Sequence, residues 1–496
     1  MKSNHQKVIS HRIQRFLEFV PGFFSWSLIL FPFWGSLIFP VAVAYYVLAF
    51  DIYWLYRSLS TSFLAVLAHF RMQAAQQFDW MGDVSLFPDW RRVHHAMLIP
   101  TYREPLTTLR RTLNGLRRQT IPLDQVSVVL SFEKREGESA VRKAKVLTSE
   151  FGGIFANFFT TFHPTLPGEV AGKSSNTSWA AKFMKHELVD RRGFDIDTLT
   201  VTSEDADAVL HPNYLAALTY SFLDHPKRYR RIWQAAIVFY NNIWRVPAPI
   251  RVLATLWSVV QMFILMRRDR LINFSTYSTS MKLVDSIGYW DVDVIPEDYR
   301  LFFKSYFHFQ GDFAVEPIFL PVYADAAEST TYWKTMRNQY EQVKRWAWGV
   351  ADDPYIIKRW LRAKHISFWD KTFRVLNVLE DHFLWPVNWF AITIGALLPP
   401  LINEDFSRTV LGKTLPQVSS AILTLSLVSL LIILFIDARS RPPRPADVSL
   451  LKRLFQPFEF VLLPIVGFFF TALPGIDAHT RLMLGRYIEY RVTEKV

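Results

Sequence analysis

Long uncharged apolar stretches at both ends of the chain enclose a segment in which short apolar runs alternate with amphipathic ones. At the N-terminal end, residues 20–50 carry no charge. As one helix this stretch would measure about 46 Å, well beyond a hydrocarbon core of ~30 Å. Pro32 and Gly35-Ser36 interrupt it near the middle. The pattern therefore predicts a hairpin of two membrane helices, over 17–35 and 37–57.

Apolar stretches of membrane-spanning length return near the C-terminus. Residues 383–402 and 414–436 are uncharged and predict two spanning helices. A basic loop follows them and is expected on the cytoplasmic side. Residues 460–476 contain Pro464 and Pro474 and form a marginal span. If they cross, the basic tail lies outside, whereas a re-entrant or interfacial segment keeps it inside, and both alternatives remain open.

The segment between these ends has the pattern of an α/β domain. The runs 96–99 and 126–130 predict buried strands, while 106–116 and 139–150 have the apolar spacing of helices. This alternation is typical of βαβ units and predicts a mainly parallel sheet. The uncharged stretch 252–266 is short for a span and predicts an interfacial helix. The predicted domains are 1–57 (basic N-terminus and hairpin), 58–382 (cytoplasmic domain) and 383–496 (membrane region and basic tail).

Composition narrows the classes of function. The chain has no cysteine, which excludes disulfides, thiolate nucleophiles and cysteine-ligated zinc. The net charge of +12 fits nucleic acid, anionic lipid or a phosphate-bearing substrate. Because the basic residues lie mostly beside apolar segments, lipid explains them and no nucleic-acid partner is expected. A transporter would need ionisable residues inside the spans, which are essentially free of them.

Three carboxylates follow the β-branched run 199–202. Glu204, Asp205 and Asp207 leave the carboxyl end of a predicted strand, where open α/β sheets bind ligands. Clustered carboxylates suit a hard divalent cation, while the alternative is an acidic turn. The similar pair in 195–197 precedes its strand and does not fit this position.

Three further stretches carry polar groups that fit a substrate site. The turn 99–104 offers backbone N–H groups to a nucleotide, or is an ordinary turn. Lys173 opens a helix within Gly172-Lys-Ser-Ser-Asn176, without the spacing of a P-loop, and either pairs with phosphate or is a solvated lysine. The hydroxyl-rich segment 273–280 fits a sugar site and a polar loop equally well.

Two later motifs complete the set. Glu297 and Asp298 follow an apolar turn and offer a general base, or cap a helix with acidic residues. The nearby pair in 291–293 precedes that turn and is not expected to take part. The helix-spaced set Gln342, Arg345 and Trp346 offers an amide, a guanidinium fork and a stacking ring, or belongs to a membrane-surface helix.

In chain order, IPTYRE, GKSSN, DAD, ED and QVKRW resemble the signatures of membrane-embedded family 2 glycosyltransferases. These include the cellulose, chitin and hyaluronan synthase-like enzymes, with D-x-D, E-D and Q-x-x-R-W motifs. The resemblance covers about 96–350 and the membrane segments on both sides, and 490–495 loosely resembles the V-T-P-K ending of some relatives. It implies a GT-A fold: a Rossmann-like α/β cytoplasmic domain flanked by α-helical transmembrane segments.

The resemblance also implies roles for individual residues. Asp205 and Asp207 would hold Mg²⁺ or Mn²⁺ on the donor diphosphate, and Asp298, beside Glu297, would deprotonate the acceptor. The residues expected to bind the donor are Thr101, Glu104, Lys173 and Asp205. The residues expected to line the acceptor and diphosphate region are Gln342, Arg345 and Trp346. Relatives commonly have an Asp-Asp-Gly-type segment after the second strand, which contacts the base of the nucleotide. This chain departs from that segment, so Glu133 would make the contact instead. The identity of the nucleotide therefore stays open.

The implied function is an inverting glycosyltransferase of hexosyl or N-acetylhexosaminyl type that uses a nucleotide-sugar, most simply a UDP-sugar. We expect it to extend a polysaccharide or glycan processively, with coupled translocation, and the alternative is single-sugar transfer to a lipid-linked acceptor. A transporter or scaffold is disfavoured. The expected partners are the donor, a glycan or lipid-linked acceptor and membrane lipids. The expected location is a bacterial plasma (inner) membrane, crossed several times, with the catalytic domain cytoplasmic.

Overall fold

The computed structural model describes residues 2–443, 445–446 and 449–489. Its eight strands are β1 (His94–Thr101), β2 (Val126–Glu133), β3 (Asn157–His163), β4 (Leu199–Ser203), β5 (Val209–Leu210), β6 (Arg231–Val238), β7 (Tyr277–Ser280) and β8 (Ala314–Tyr323). They form one sheet in the order β3-β2-β1-β4-β7-β6-β8-β5. The chain end at 490–495 lies outside the described residues, so its resemblance stays a prediction.

Helices precede, surround and follow this sheet. Up to the last strand they are α1 (Lys2–Ile38), α2 (Pro40–Gln77), α3 (Trp80–Val84), α4 (Leu106–Arg117), α5 (Glu138–Phe151), α6 (Lys173–Met184), α7 (Tyr214–Asp224), α8 (Ala248–Leu265), α9 (Met281–Ser286) and α10 (Glu297–His308). After it they are α11 (Tyr332–Ala347), α12 (Asp353–Arg362), α13 (Phe368–Ile394), α14 (Leu398–Ile402), α15 (Glu404–Arg408), α16 (Val410–Ser440), α17 (Leu450–Phe455), α18 (Leu463–Gly467) and α19 (Leu473–Met483).

The first half of the sheet is parallel because helical crossovers connect its strands. β1 pairs in parallel with β2 and β4, and β2 with β3, so the carboxyl ends of these four strands share one edge. α4 buries Leu109, Leu113 and Leu116, the apolar stripe that the sequence predicts. Both predicted strands and both predicted helices of this region are present.

The second half of the sheet is mixed. β7 runs antiparallel to both of its neighbours, β4 and β6, while β6 and β8 are parallel and β5 is antiparallel to β8. The expected fold class is confirmed: an α/β, Rossmann-like sheet of GT-A type that is accompanied by long apolar helices. The antiparallel strands could not be predicted from the alternation of strands and helices in the first half of the domain.

The first two helices meet later than the sequence predicts. Pro32 does not end α1, because the carbonyl of Leu28, which loses its helical N–H partner there, accepts a hydrogen bond from the Tyr46 hydroxyl at 3.2 Å. The break comes before Pro40, the first residue of α2, where a missing N–H costs nothing. α2 then continues to Gln77, so the predicted domain boundary after residue 57 falls inside a helix.

α2 packs lengthwise against α16 near the C-terminus. Ser419 donates to the buried Asp51 carboxylate at 2.6 Å, and the Ser440 hydroxyl lies 3.1 Å from Nδ1 of His69. Since residue numbers increase together in both contacts, the two helices run in the same direction. Asp51 is an ionisable group within the predicted 37–57 span, contrary to the general absence of such groups from the spans.

Five helices in the described part of the chain are long and apolar enough to cross a membrane. They are His11–Ile38, Ala248–Leu265, Phe368–Ile402, Val410–Ser440 and Gln456–Met483. The N-terminal half of α2, predicted to span, is not among them, since Asp51, Arg57 and several tyrosines lower its hydropathy. α8 is among them by composition, although the sequence predicts an interfacial helix there.

Candidate active site

The acidic motif lies where β4 ends. The backbone N–H of Glu204 donates to the carbonyl of Leu98 at 2.9 Å, which keeps the chain beside β1. The N–H of Asp205 then donates to Thr276 Oγ1 at 3.0 Å, and the Ser275 hydroxyl donates to Asp205 Oδ2. Asp205 is thus held at the carboxyl edge of the sheet by the loop before β7, and remains partly exposed.

Asp207 is held by a different loop. Its Oδ2 accepts a hydrogen bond from the backbone N–H of Asp325 at 2.9 Å, and its carbonyl accepts one from Asn241 at 3.2 Å. The Asp325 carboxylate pairs with Arg111 at 2.6 Å. Asp207 itself is buried, so its orientation depends on the segment that follows β8.

Lys173 joins the two acidic motifs. As the first residue of α6, it places Nζ 2.8 Å from Asp205 Oδ1, 3.2 Å from Glu297 Oε1 and 2.6 Å from the carbonyl of Ser275. Burial opposes its charge, but the attraction of Asp205, Glu297 and Asp298 outweighs burial and raises the Lys173 pKa well above its usual value. The structure therefore brings together carboxylates that lie about 90 residues apart in sequence.

Asp298 occupies the first turn of α10. The N–H of Ser275 donates to its Oδ2 at 3.1 Å, whereas its Oδ1 is inaccessible to solvent and has no hydrogen-bond partner in the described structure. Burial raises the pKa of the Asp298 carboxyl well above its ordinary value, and repulsion from Glu297 adds to this, while Lys173 opposes it. A carboxyl with a raised pKa and one unengaged oxygen suits a general base.

Ser275 is the residue that the sequence does not single out. It has a positive φ of 56°, a conformation that is uncommon outside glycine. This backbone geometry directs its N–H to Asp298 and its carbonyl to Lys173, while its hydroxyl reaches Asp205. The hydroxyl-rich composition of 273–280 is the only signal in the sequence, and it does not distinguish Ser275 from its neighbours.

Glu204 does not join this group. Its side chain is fully buried, and neither carboxyl oxygen has a hydrogen-bond partner among the described residues. Burial raises the Glu204 pKa well above its ordinary value, with the neighbouring Asp205 adding to the effect. Of the three acidic candidates Glu204, Asp205 and Asp207, Asp205 is the one that contacts Lys173.

The predicted nucleotide residues lie along the same edge of the sheet. Thr101 and Glu133 end β1 and β2, and both side chains are buried. Glu133 accepts a hydrogen bond from Arg135, whose guanidinium lies 4.0 Å from the centre of the Tyr102 ring. Glu104 is also buried, in the turn that leads to α4. The roles of Thr101, Glu104 and Glu133 in nucleotide binding stay predictions.

The Q-x-x-R-W residues lie on α11 as predicted. Trp346 packs edge-on against Trp257 of α8, with ring centres 5.3 Å apart. Gln342 and Arg345 lie on the same helix, within about one turn of Trp346. This helix therefore connects the motif to an apolar helix, and the role of these three residues in lining the acceptor and diphosphate region stays a prediction.

The two acidic pairs that the sequence analysis sets aside have structural partners. Asp195 caps the short turn that precedes β4, and Asp197 pairs with Lys282 at 2.8 Å. Asp291 pairs with Arg300 at 3.1 Å and with Lys304 at 2.6 Å. Neither pair reaches the Lys173 cluster.

The donor atoms near Asp205 and Asp207 fit a metal that takes part of its coordination from a substrate. In the described part of the chain, no three His, Asp or Glu side chains group closely enough to form a complete metal site. Carboxylate oxygens are the ligands that Mg²⁺ and Mn²⁺ prefer, and Mg²⁺ is usually held by only one or two of them besides phosphates and water. The pair fits such a cation.

Comparison with known families agrees with this arrangement. The family model described as Glycosyl transferase family group 2 matches residues 201–436, just under half of the chain. The matched segment includes Asp205, Asp298 and the Q-x-x-R-W motif. The narrower likeness to cellulose, chitin or hyaluronan synthases stays a prediction. No curated protein matches the sequence significantly.

Two solved structures are similar to the chain at low sequence identity. One is the mannosyltransferase PcManGT from Pyrobaculum calidifontis in complex with GDP-Man and Mn²⁺, with 14% identity, 88% of this chain and 99% of that chain covered, and a TM-score of 0.43. The other is residues 1–349 of S. aureus TarS in complex with UDP-GlcNAc, with 13% identity, 80% and 93% covered, and a TM-score of 0.38. Neither likeness identifies the substrate of this chain.

Proposed function

We propose that the protein is an inverting glycosyltransferase that transfers a sugar from a nucleotide-sugar to a glycan or lipid-linked acceptor. The observation that carries the proposal is the Lys173 cluster. One ammonium bridges the carboxylate of the D-x-D motif and the first carboxylate of the E-D motif. The general base and the diphosphate-binding end of a displacement reaction need this proximity.

Asp205 and Asp207 would hold Mg²⁺ or Mn²⁺. When bound, the cation would neutralise charge that develops on the leaving nucleoside diphosphate. Lys173 adds a fixed positive charge beside Asp205. Arg345 and Gln342 are proposed to reach the diphosphate or the acceptor from α11, with Trp346 behind them.

Asp298 is proposed as the base that takes the proton of the acceptor hydroxyl. Its Oδ2 is held by the N–H of Ser275, which leaves Oδ1 to accept that proton. Glu297, its neighbour in the same helical turn, stays engaged with Lys173. Direct attack of the activated oxygen on the anomeric carbon would invert its configuration.

The donor, product and location are proposed from the sequence resemblance. Thr101, Glu104 and Glu133 would seat the nucleotide, and a UDP-sugar of hexosyl or N-acetylhexosaminyl type is the donor to test first. The Q-x-x-R-W motif supports processive extension with translocation, and single transfer to a lipid-linked acceptor is the alternative. The five apolar helices support association with a membrane, and the multi-pass topology, the bacterial plasma membrane and the cytoplasmic side of the sheet are proposed from the sequence.

Purified full-length protein should release nucleoside diphosphate from one nucleotide-sugar of a panel, and chelation of Mg²⁺ and Mn²⁺ should stop the release. Asp298→Asn should lower turnover by about 10²–10⁴-fold, since general-base catalysis contributes that much. Binding of the nucleotide-sugar, measured by calorimetry, should stay within about twofold, because Asp298 is not proposed to hold the donor.

The matched control is Asp293→Asn, an exposed carboxylate five residues earlier in the same segment. It should turn over like the wild-type protein. Full activity of Asp298→Asn would show that the base is another residue. Release of no nucleoside diphosphate from any donor of the panel would contradict the proposed class of reaction. The size of the product, measured by mass spectrometry, separates polymer extension from single transfer.

A further inference from the structure

A second cavity lies away from the Lys173 cluster, between the N-terminal part of α1 and the helix α12. Its volume is about 340 Å³, within the range of about 300–1,000 Å³ that is usual for small-molecule sites. The side chains that define its chemistry are Gln14, Arg300, Tyr355, Lys358, Arg359 and Arg362. Four of these six are cations and none is a carboxylate.

Only part of this positive charge is balanced within the protein. Arg300 donates to Asp352 at 2.8 Å and pairs with Asp291 at 3.1 Å, so its charge is compensated. For Arg359 and Arg362, the described residues provide no carboxylate within ion-pair distance. Two guanidinium groups on one face of the cavity are thus left for an external anion.

Lys358 shows the effect of this charge on a neighbour. Its ammonium donates to Gln14, which is neutral. Burial lowers the Lys358 pKa, the attraction of Glu18 opposes this effect, and the repulsion of Arg362 adds a smaller lowering. An anion in the cavity would relieve this repulsion.

The Arg359 side chain is already oriented by an aromatic surface. Its guanidinium lies 5.3 Å from the centre of the Tyr355 ring, and Arg300 lies 3.9 Å from the same ring. Stacking on a ring leaves the guanidinium edge available for hydrogen bonds. Such an edge matches two oxygens of a phosphate group.

The helices α1 and α12 that form the cavity, and α13 packed against them, also carry exposed apolar side chains that fit a membrane boundary. Phe16 on α1, Leu361 on α12, and Phe368 and Trp369 on α13 are all more than half exposed. Phe368 also contacts Trp360, with ring centres 6.2 Å apart. Exposed aromatic residues beside cations at the ends of apolar helices are typical of the level of lipid headgroups.

We propose that this cavity binds the phosphate group of an anionic membrane lipid. The lipid would place its headgroup between α1 and α12 and its chains along the apolar surface of α1 and α13. Arg359 and Arg362 would hold the phosphate, with Lys358 as a third donor. The lipid source rests on the proposed membrane placement, whereas the site itself does not depend on sugar transfer.

The test measures binding of a fluorescent short-chain phosphatidylglycerol to the full-length protein in a neutral detergent. The variant R359Q/R362Q removes the two unbalanced charges. A charge close to an anionic lipid surface contributes about fivefold in affinity, so the double variant should bind about 25-fold more weakly. The control R117Q/R118Q removes two exposed arginines from the end of α4 and should stay within twofold.

Several outcomes would overturn the proposal. These are equal loss in both double variants, unchanged binding in R359Q/R362Q, or phosphatidylcholine binding as tightly as phosphatidylglycerol. Competition by inorganic phosphate below 1 mM would replace the lipid by a soluble phosphate compound. If R359Q/R362Q does not fold, the single variant R362Q of an exposed residue answers the same question. Donor turnover in the same preparations separates failure of this site from failure of the proposed catalysis.

Discussion

The position of Lys173 explains how a crowded group of acidic side chains is tolerated at one edge of the sheet. Its ammonium contacts Asp205 and Glu297, and its charge also acts on Asp298. Without this cation, each carboxylate would raise the pKa of the others. The same lysine therefore affects both folding of the site and the protonation state of the proposed base.

Replacement of Lys173 should change the pH dependence of turnover in a defined direction. Lys173 lowers the Asp298 pKa, so Lys173→Gln should raise it further. Because a base acts only when deprotonated, the acid limb of kcat/KM should move to higher pH. Profiles from pH 5 to pH 9 measure the shift.

The control for this experiment is Lys282→Gln, which removes an exposed lysine from its pair with Asp197. Its profile should match the wild-type profile. An acid limb that stays in place, or moves to lower pH, in Lys173→Gln would show that Lys173 does not act on the base.

Several site residues could be predicted from the sequence because their chemistry follows from their position. Asp205 and Asp207 leave a strand, and Lys173 opens a helix after a glycine, so each carries a local signal. The contribution of Ser275 depends on one backbone conformation, which its sequence does not encode visibly. Its contacts exist only after β4, α6 and α10 have assembled around it.

At the scale of elements, the loop after β8 controls how Asp207 is presented. Asn242 makes two hydrogen bonds of 2.9 Å with the backbone of Ala326, one through its amide nitrogen and one through its oxygen. The next residue toward β8, Asp325, donates its N–H to Asp207. The loop and the acidic motif are thus fixed together by side chains of a third segment.

Asn242→Ala should loosen this loop. Two buried backbone groups lose their partners, which should cost about 2 kcal/mol of stability. The midpoint of thermal unfolding should fall, and turnover should need more Mn²⁺ because Asp207 is less well held. Asn213→Ala, at a helix end where the side chain makes no capping bond, is the control and should change neither quantity. An unchanged metal requirement in Asn242→Ala would contradict the coupling.

The elements with strong local patterns were predictable, and those determined by partners were not. The stripe of leucines on α4 and the buried run of β1 identify both elements from sequence alone. β7 is a four-residue strand of polar residues, and it pairs only because β4 and β6 lie on either side. Similarly, the continuation of α1 past Pro32 depends on a tyrosine of the following helix.

At the scale of the whole molecule, buried ion pairs attach the sheet domain to the C-terminal helices. Arg251, at the start of α8, pairs with Glu459 at 2.7 Å and also donates to the carbonyls of Ile243 and Val246. These partners are separated by about 200 residues in sequence. No pattern within either segment predicts such a contact.

Arg251→Gln should destabilise the protein by about 3 kcal/mol, because it leaves Glu459 without its cation in a largely buried place. Thermal unfolding in detergent measures the change, and the double variant with Glu459→Gln should lose less than the sum of the single variants. The pair of the partly exposed Arg267 and the exposed Asp269 is the control, since Arg267→Gln should cost less than about 1 kcal/mol. Equal losses of stability in Arg251→Gln and Arg267→Gln would mean that the pair of Arg251 and Glu459 does not hold the sheet domain to the C-terminal helices.

The shared direction of α2 and α16 limits how many times the chain can cross a membrane between these two helices. A chain that leaves one helix and enters another of the same orientation must change sides of the membrane an odd number of times. α8 cannot supply a change, because its ends lead to β6 and β7, neighbouring strands of one sheet. If α2 and α16 both cross the proposed membrane, α13 would make the crossing between them, and the turn at 403–409 would lie on the face opposite the sheet.

Because the sequence has no cysteine, a single introduced cysteine reports on which side of the membrane its segment lies. In sealed vesicles, a membrane-impermeant thiol reagent should label Ser407→Cys from one side and Ser139→Cys, on the sheet domain, from the other. Labelling of both from the same side would show that α2 and α16 do not both cross.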